Sequence, residues 1–344
     1  MAKFYIFDAK KTVILEKLYP LKFQPIFKDK IWGGNKIKSV LNKDYRPLPN
    51  CGETWEISGV NGNVSIVANG ALSGKSLSGL MDEYGHELVG RHVMEHSPHE
   101  FPLLVKFIDA NDDLSIQVHP DDELAKARHN CLGKTEMWYV VQADNGSSLI
   151  TGFNRQVNKE VYEDYFNRGK LEEILNREEV NDEDVFYLPA GRVHTIGKGL
   201  LIAEIQQTSD ITYRIYDFDR ADANGNKREL HVQEALDAID YNFYEEYKSK
   251  YDRSPNQTTN LVSADYFITN RICTSEKLMR NYSDIDSFII YVVVQGTGKL
   301  IYTDGEEQGL KLGDCILIPA CIEVLEIIPY TEMKILESYV PVNN

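Results

Sequence analysis

The sequence predicts a mainly β protein made of two related jelly-roll barrels with a small helical portion. One observation is texture: most of the 344 residues fall into short β-branched or aromatic runs cut by Gly, Pro, Asn and Asp, as in a sandwich or barrel. The other is an internal echo. "EDVFYLPAGRVH" (183–194) resembles "GDCILIPACIEV" (313–324), aligning Asp184 with Asp314 and Pro189 with Pro319, and "YVVQ" from 139 pairs with "YVVVQG" from 291. In both copies a strand pair leads to an acidic turn, an apolar strand and Pro-Ala, the order a jelly roll gives. With 42% hydrophobic residues the chain can fill one large or two medium cores. The expected division is 1–250 for a first barrel with helical segments and 251–344 for a second.

Along the chain, "KDKIWGG" places Trp32 beside Gly33 and Gly34, either shaping a barrel rim or simply burying a ring next to a tight turn. Helices are expected over 75–93, 158–176 and 230–248, where apolar residues recur at mixed three and four spacings. "LSIQVHP" (114–120) alternates Ser115, Gln117 and His119 with Ile116 and Val118, so a strand there sends three polar side chains to one face. "DDE" at 121–123 reads as a solvated helix start. The polar, Pro-containing "KSKYDRSPNQTTN" (248–260) reads as a linker. "GTG" at 296–298 has no helix after it and is not a nucleotide loop.

A net charge of -16 argues against nucleic acid or an anionic membrane as partner. An anionic substrate would need cations gathered locally against that field. No run of 18 apolar residues occurs, so no transmembrane helix is expected. "MAKFYIFDAKKTVILEK" is broken by charge too early for a signal peptide. Five cysteines, odd in number and without CxxC spacing, fit free thiols in a reducing, cytoplasmic setting. Nothing in the sequence speaks to oligomeric state.

Groups suited to one site gather in the first copy of the echo. "SIQVHP" offers Gln117 and His119, "KTEMW" puts Lys134 and Glu136 on one strand face, and "AGRVHTI" offers His194. Two neutral imidazoles and a carboxylate suit Zn²⁺, with the Gln carbonyl a weaker neutral ligand. Lys106, Arg214 and Arg220 could supply positive charge nearby. Individually these residues have plainer readings: His119 in a loop, Glu136 on a wet strand face, His194 a bonded core histidine. Against all three, an offset of 130 puts Val324 where His194 stands, and an offset of 152 puts Phe288 where Glu136 stands. A fold that required these polar groups would keep them in both copies.

The runs "FPLLVKFIDANDDLSIQVHPDDELA", "GKTEMWYVV" and "LPAGRVHTIGKGLLIAEIQQTSDITYRIYDFDR", with "KDKIWGG" and "GETWEIS", resemble type I mannose-6-phosphate isomerase (phosphomannose isomerase) in its short bacterial form. The resemblance covers roughly 18–245 and weakens beyond. It implies a cupin-type double barrel with one Zn²⁺ per chain on Gln117, His119, Glu136 and His194. It implies site-lining roles for Ser115, Lys106 and Lys134, and a catalytic arginine at Arg214. Arg220 stands where larger relatives carry lysine. The implied reaction interconverts mannose 6-phosphate and fructose 6-phosphate through a cis-enediol(ate). The phosphate would be held by Arg220, Lys106 or Lys134, and the general base would be Lys134 or a metal-bound water. Two other readings remain at this stage: a sugar-binding or regulatory cupin without turnover, and an Fe(II) cupin oxygenase, which Gln117 and the nearby cations fit poorly.

Overall fold

The computed structural model describes residues 16–222 and 224–342. Most of the N-terminal stretch read above for a signal peptide lies outside the described residues.

Among the described residues, four antiparallel sheets form two pairs. In the first pair, a six-stranded sheet runs Ile26–Lys28, Glu53–Ile57, Leu103–Ala110, Leu200–Gln207, Glu136–Ala143, Val185–Leu188. Its five-stranded companion runs Tyr213–Tyr216, Ile116–Val118, His194–Thr195, Ser148–Phe153, Leu175–Glu179. The second pair repeats the plan within 257–339. Its five-stranded sheet runs Gln257–Ser263, Ile268–Thr274, Met333–Tyr339, Ile289–Gln295, Cys315–Ile318, and a four-stranded sheet runs Leu278–Asn281, Val324–Pro329, Thr297–Tyr302, Glu306–Lys311. Both pairs have jelly-roll connectivity, as the echo predicts.

Strand register aligns the two copies. Leu188, just before Pro189, lies opposite Glu136, and Ile318, just before Pro319, lies opposite Ile289. The counterpart of Glu136 is therefore Ile289, at an offset of 153, and not Phe288. Each copy carries a bulge at one valine, Val141 and Val294, and the same offset of 153 aligns Gln142 with Gln295. The other comparison holds: His194 pairs with Gln117 and Val324 with Asn281. The echoed acids are structural. Asp184 accepts from the Asn181 N–H at 2.9 Å and Asp314 from the Lys311 N–H at 3.0 Å, closing the same turn in each copy.

The expected helices form but are shorter. The first breaks into Leu77–Tyr84, His86–Val89 and Arg91–His96, because Gly85 (φ 51°) and Gly90 (φ 89°) adopt left-handed backbone. The second runs Lys159–Asn167 and stops before Gly169 (φ 66°), leaving a 3₁₀ turn at Leu171–Ile174. The third keeps Val232–Ala238; beyond it the Asp240 N–H is taken by the Gly191 carbonyl at 2.8 Å. Asp122–His129 is the helix announced by "DDE", capped by the Asp121 side chain. The expected linker is ordered: Lys248 and Arg253 both pair with Asp184, and its last residues open the strand Gln257–Ser263.

Leu103–Ala110, Leu200–Gln207 and the first half of Glu136–Ala143 are buried on both faces. One face, with Val105, Phe107, Met137, Tyr139, Ala203 and Ile205, joins a core shared with Phe288, Ile290, Leu317 and Leu336 of the second sheet pair. The other face looks into the first barrel. There Ile108, Trp138, Val140 and Ile202 are apolar, while Lys106, Glu136 and Glu204 are not. Charges on the inner face of a buried strand demand partners.

Candidate active site

The five-stranded sheet presents Gln117 and His194 side by side, and the six-stranded sheet presents Glu136 opposite them. His119 follows directly after the strand Ile116–Val118. Among the described residues, His119, Glu136 and His194 are a buried set whose candidate ligand atoms all lie within 4.8 Å of one another. The polar face of "LSIQVHP" is thus turned into the barrel.

Backbone carbonyls fix both imidazoles. His119 Nδ1 bonds the Ile211 carbonyl and His194 Nδ1 the Arg192 carbonyl, each at 2.8 Å. Nδ1–H is committed in each, so Nε2 carries the lone pair. Burial and the neighbouring Lys134 charge hold His119 far below its ordinary pKa and bring His194 down to about 3. Both rings are therefore neutral. His194 Nε2 faces Glu136 Oε1 at 3.3 Å, and that oxygen has no hydrogen-bond partner. A lone pair against a carboxylate oxygen in a dry interior is repulsive unless a cation lies near both. Such a cation is already present on the other side: the Lys134 ammonium sits between His119 Nε2, at 3.0 Å, and Glu136 Oε2. The donor set fits a divalent ion. Gln117 Nε2 lies 3.3 Å from His194 Nε2, and Ser115 Oγ donates to Gln117 Oε1 at 3.3 Å, so a turn of the amide would present oxygen instead.

Above this floor lies a cleft of about 260 Å³ lined by Trp32, Ser115, Gln117, Thr212, by Lys30, Lys106, Lys134, Arg214 and Arg228, and by Glu53, Glu204 and Asp210. Five cations against three acids make it locally positive in a chain of charge -16. Glu204 lies opposite Lys106 in the sheet, forms an ion pair with its ammonium at 3.3 Å and accepts from Trp138 Nε1 at 2.7 Å. Glu53 holds Lys30 at 3.1 Å and accepts from Trp55 Nε1 at 2.8 Å. Burial alone would raise Glu53, but Lys106 and Lys30 outweigh it and hold the carboxyl at about 2. Burial pushes Glu136 up, Glu204 adds to the push, and Lys134 opposes it.

Arg214 has spare hydrogen-bonding capacity. Its Nη1 donates to the Glu229 carbonyl at 2.7 Å, while Nε is buried without a partner. Burial and the charges of Arg228 and Arg220 depress its pKa, so an anion beside it would be welcome. Arg220 is not on the cleft wall. Its guanidinium is taken up by Asp217 at 2.7 Å and by the Asp113 carbonyl. The cation that reaches the cleft from that side is Arg228, which shares Asp217.

Residues 20–149 match the family model of the phosphomannose isomerase type I catalytic domain. The chain is 36% identical over 320 residues to mannose-6-phosphate isomerase ManA of Bacillus subtilis, covering 91% of this chain and 97% of the relative. The chain belongs to the type I phosphomannose isomerases. The Streptococcus mutans mannose-6-phosphate isomerase is 37% identical over 314 residues, covering 88% and 93% of the two chains. The crystal structure of the Bacillus subtilis enzyme superimposes with a TM-score of 0.83 at 33% identity over 93% of this chain and 99% of that one. A putative mannosephosphate isomerase from Archaeoglobus fulgidus shares the fold at a TM-score of 0.73 and 22% identity, covering 94% and 98%.

Within this type I phosphomannose isomerase cupin fold, sequence reasoning missed Lys30, Glu53, Glu204, Asp210, Thr212 and Arg228 on the cleft. Glu204 carried a usable signal: it is the lone acid in the apolar run "LLIAEI". The others reach the cleft through loops and long-range pairing that spacing does not encode.

Proposed function

We propose that this chain interconverts D-mannose 6-phosphate and D-fructose 6-phosphate through a cis-enediol(ate), with one Zn²⁺ held by Gln117, His119, Glu136 and His194. The supporting observation is the pair of neutral imidazoles whose Nε2 atoms face a buried carboxylate under a cationic cleft. When bound, zinc would supply Lewis acidity at the sugar carbonyl.

The remaining work falls to side chains. Lys134, at the cleft floor, acts in its free-amine form: it takes the proton from one of C1 and C2 and, as the ammonium so formed, gives it to the other carbon on the same face. Arg214, permanently charged and with an unpartnered Nε, stabilises the negative charge that grows on the enediolate oxygens. Lys106 and Ser115 contact the sugar phosphate from the cleft wall, with Arg228 and Lys30 as further anion contacts toward the more exposed mouth. Arg220, expected from the sequence to touch substrate, acts through Asp217 to hold Arg228. Glu53 and Glu204 hold Lys30 and Lys106 in place.

The same reading takes 1–250 as the catalytic unit and 251–344 as a barrel without metal ligands. It places the protein in the cytoplasm because its cysteines are unpaired; no helix among the described residues is long and apolar enough to cross a membrane. A non-catalytic sugar-phosphate-binding cupin is not favoured, since the relatives matched over more than nine-tenths of their length are named as enzymes. The test is a coupled isomerisation assay on mannose 6-phosphate. Turnover should vanish with a chelator and return with re-added zinc. Full activity in protein shown by elemental analysis to be metal-free would sink the proposal.

A further inference from the structure

One carboxylate outside the cleft ties the active-site segments to the second barrel. Asp122 lies three residues after His119 and opens the helix Asp122–His129. Its Oδ1 accepts from the Gly133 N–H at 2.7 Å and from Gln207 Nε2 at 3.0 Å. Its Oδ2 accepts from the hydroxyl of Tyr266 at 2.7 Å, and Tyr266 belongs to the turn between Gln257–Ser263 and Ile268–Thr274. Gln207 in turn accepts the Thr135 N–H on its Oε1 at 2.9 Å. The Lys134 N–H, between those two anchored positions, donates to the Pro120 carbonyl at 3.1 Å.

These bonds bracket Lys134 and fix the residue that leads into Glu136. Gly133, Lys134 and Thr135 are each held by a backbone N–H, and what holds them leads to Asp122 or to Pro120, next to His119. The fit is close: a Cβ on Gly133 would come within 2.6 Å of the Asp122 nitrogen. A carboxylate with three donors is a rigid node, because ionised acceptors make the stronger hydrogen bonds. One donor, Tyr266, comes from the second barrel, none of whose residues line the cleft.

We propose that Tyr266 is a positioning residue for the active site, through which the second barrel sets the Lys134–Glu136 strand against His119 by way of Asp122. The inference rests on the functional reading above, and gives the ligand-free barrel a part in it. Hydrogen-bonded partners behind metal ligands typically matter by about 10- to 100-fold in affinity or activity. Tyr266 acts from further out, so the lower end applies.

In Tyr266→Phe, which keeps the ring and its packing, kcat should fall about tenfold with KM within twofold, and the zinc dissociation constant, read by competition with a chromophoric chelator, should rise about tenfold. Asp122→Asn should behave likewise. The double variant should be no worse than the worse single one, because the hydroxyl acts only through the carboxylate. A folded Tyr266→Phe protein with kcat and zinc affinity both within twofold of wild type would overturn the proposal, as would strictly multiplicative losses in the double variant. The zinc titration needs no turnover, so a wild type that binds zinc but fails to isomerise sugar phosphate would sink the functional reading and leave this one standing.

Discussion

At the scale of the residue, the site divides into groups that hold an ion and groups that meet substrate, and single substitutions should separate them. His119→Ala and Glu136→Ala each delete one donor from a buried set of three. Both should purify with little zinc and no turnover. Arg214→Ala leaves the donor set intact, so zinc should stay at one per chain while kcat drops about 10²- to 10³-fold, the usual cost of removing one donor to a developing oxyanion. Metal content and kcat on the same preparations decide it; loss of zinc in Arg214→Ala would place that residue wrongly. How legible were these positions? Gln117 and His119, like Lys134 and Glu136, are two apart, one of each pair in a strand and the other just beyond its end, and period-two alternation of extended chain puts each pair on one face. Glu204 and Lys106 become partners only once two strands nearly a hundred residues apart are in register. Arg220 and Arg228 look alike in sequence; which of them reaches the cleft depends on how each meets Asp217. No spacing rule carries that information.

At the scale of the element, the two copies show what the fold needs and what it does not. The turn acids Asp184 and Asp314 recur because the turn recurs, and the echo made them visible. Helix lengths were less legible: periodicity ran on through Gly85, Gly90 and Gly169, whose left-handed backbone ends each helix. The inner faces of the barrels differ most. By strand register Glu337 is the counterpart of Glu204, since Glu204 lies opposite Trp138 and Glu337 opposite Tyr291. In the second barrel that carboxylate is met not by lysine but by Arg280, at 2.7 Å, with Asn270 at 3.1 Å and the Tyr282 hydroxyl completing its shell. Where the first barrel gathers ligands, the second has Asn281, Ile289 and Val324 and closes over an ion pair. Arg280→Ala would strand Glu337, 1% exposed, and should destabilise the protein by about 3–5 kcal/mol, as breaking a buried pair does. Arg280→Met with Glu337→Leu should lose much less. Urea unfolding of the three proteins measures this, and equal losses in the single and double variants would refute it. Zinc binding should be unchanged in both.

At the scale of the whole molecule, the question is what keeps two barrels in one arrangement. Part of the answer is apolar: a single core includes Val105 and Phe107 from the first and Ile290 and Leu336 from the second. Leu21 and Leu317 exchange backbone hydrogen bonds at 2.8 and 2.9 Å. The other part is ionic and concentrated at one turn. Glu183 meets Arg271 at 3.0 Å and the Lys334 ammonium, both from the second barrel. Its neighbour Asp184 holds Lys248 and Arg253 of the connecting segment at 2.7 and 2.9 Å. That is why a polar stretch with a linker's composition is ordered here, and composition alone could not reveal it, because the partners lie more than sixty residues back. Burial by itself would raise the Glu183 pKa. The Lys334 bond and the charges of Lys334 and Arg271 outweigh burial and hold it below the ordinary glutamate value. A carboxyl depressed in the folded state adds stability that is fully present above its unfolded pKa of about 4.3 and is lost as pH falls through the folded value. Glu183→Gln should therefore be less stable than wild type at pH 7, with two cations facing an uncharged amide. The gap should narrow as acid protonates the wild-type carboxyl, while Asp184, depressed in the same sense, gives both proteins a common residual slope. Urea midpoints at pH 7 and pH 3 test it directly. Parallel pH dependence in the two proteins would mean that the turn contributes packing but no charge to the junction.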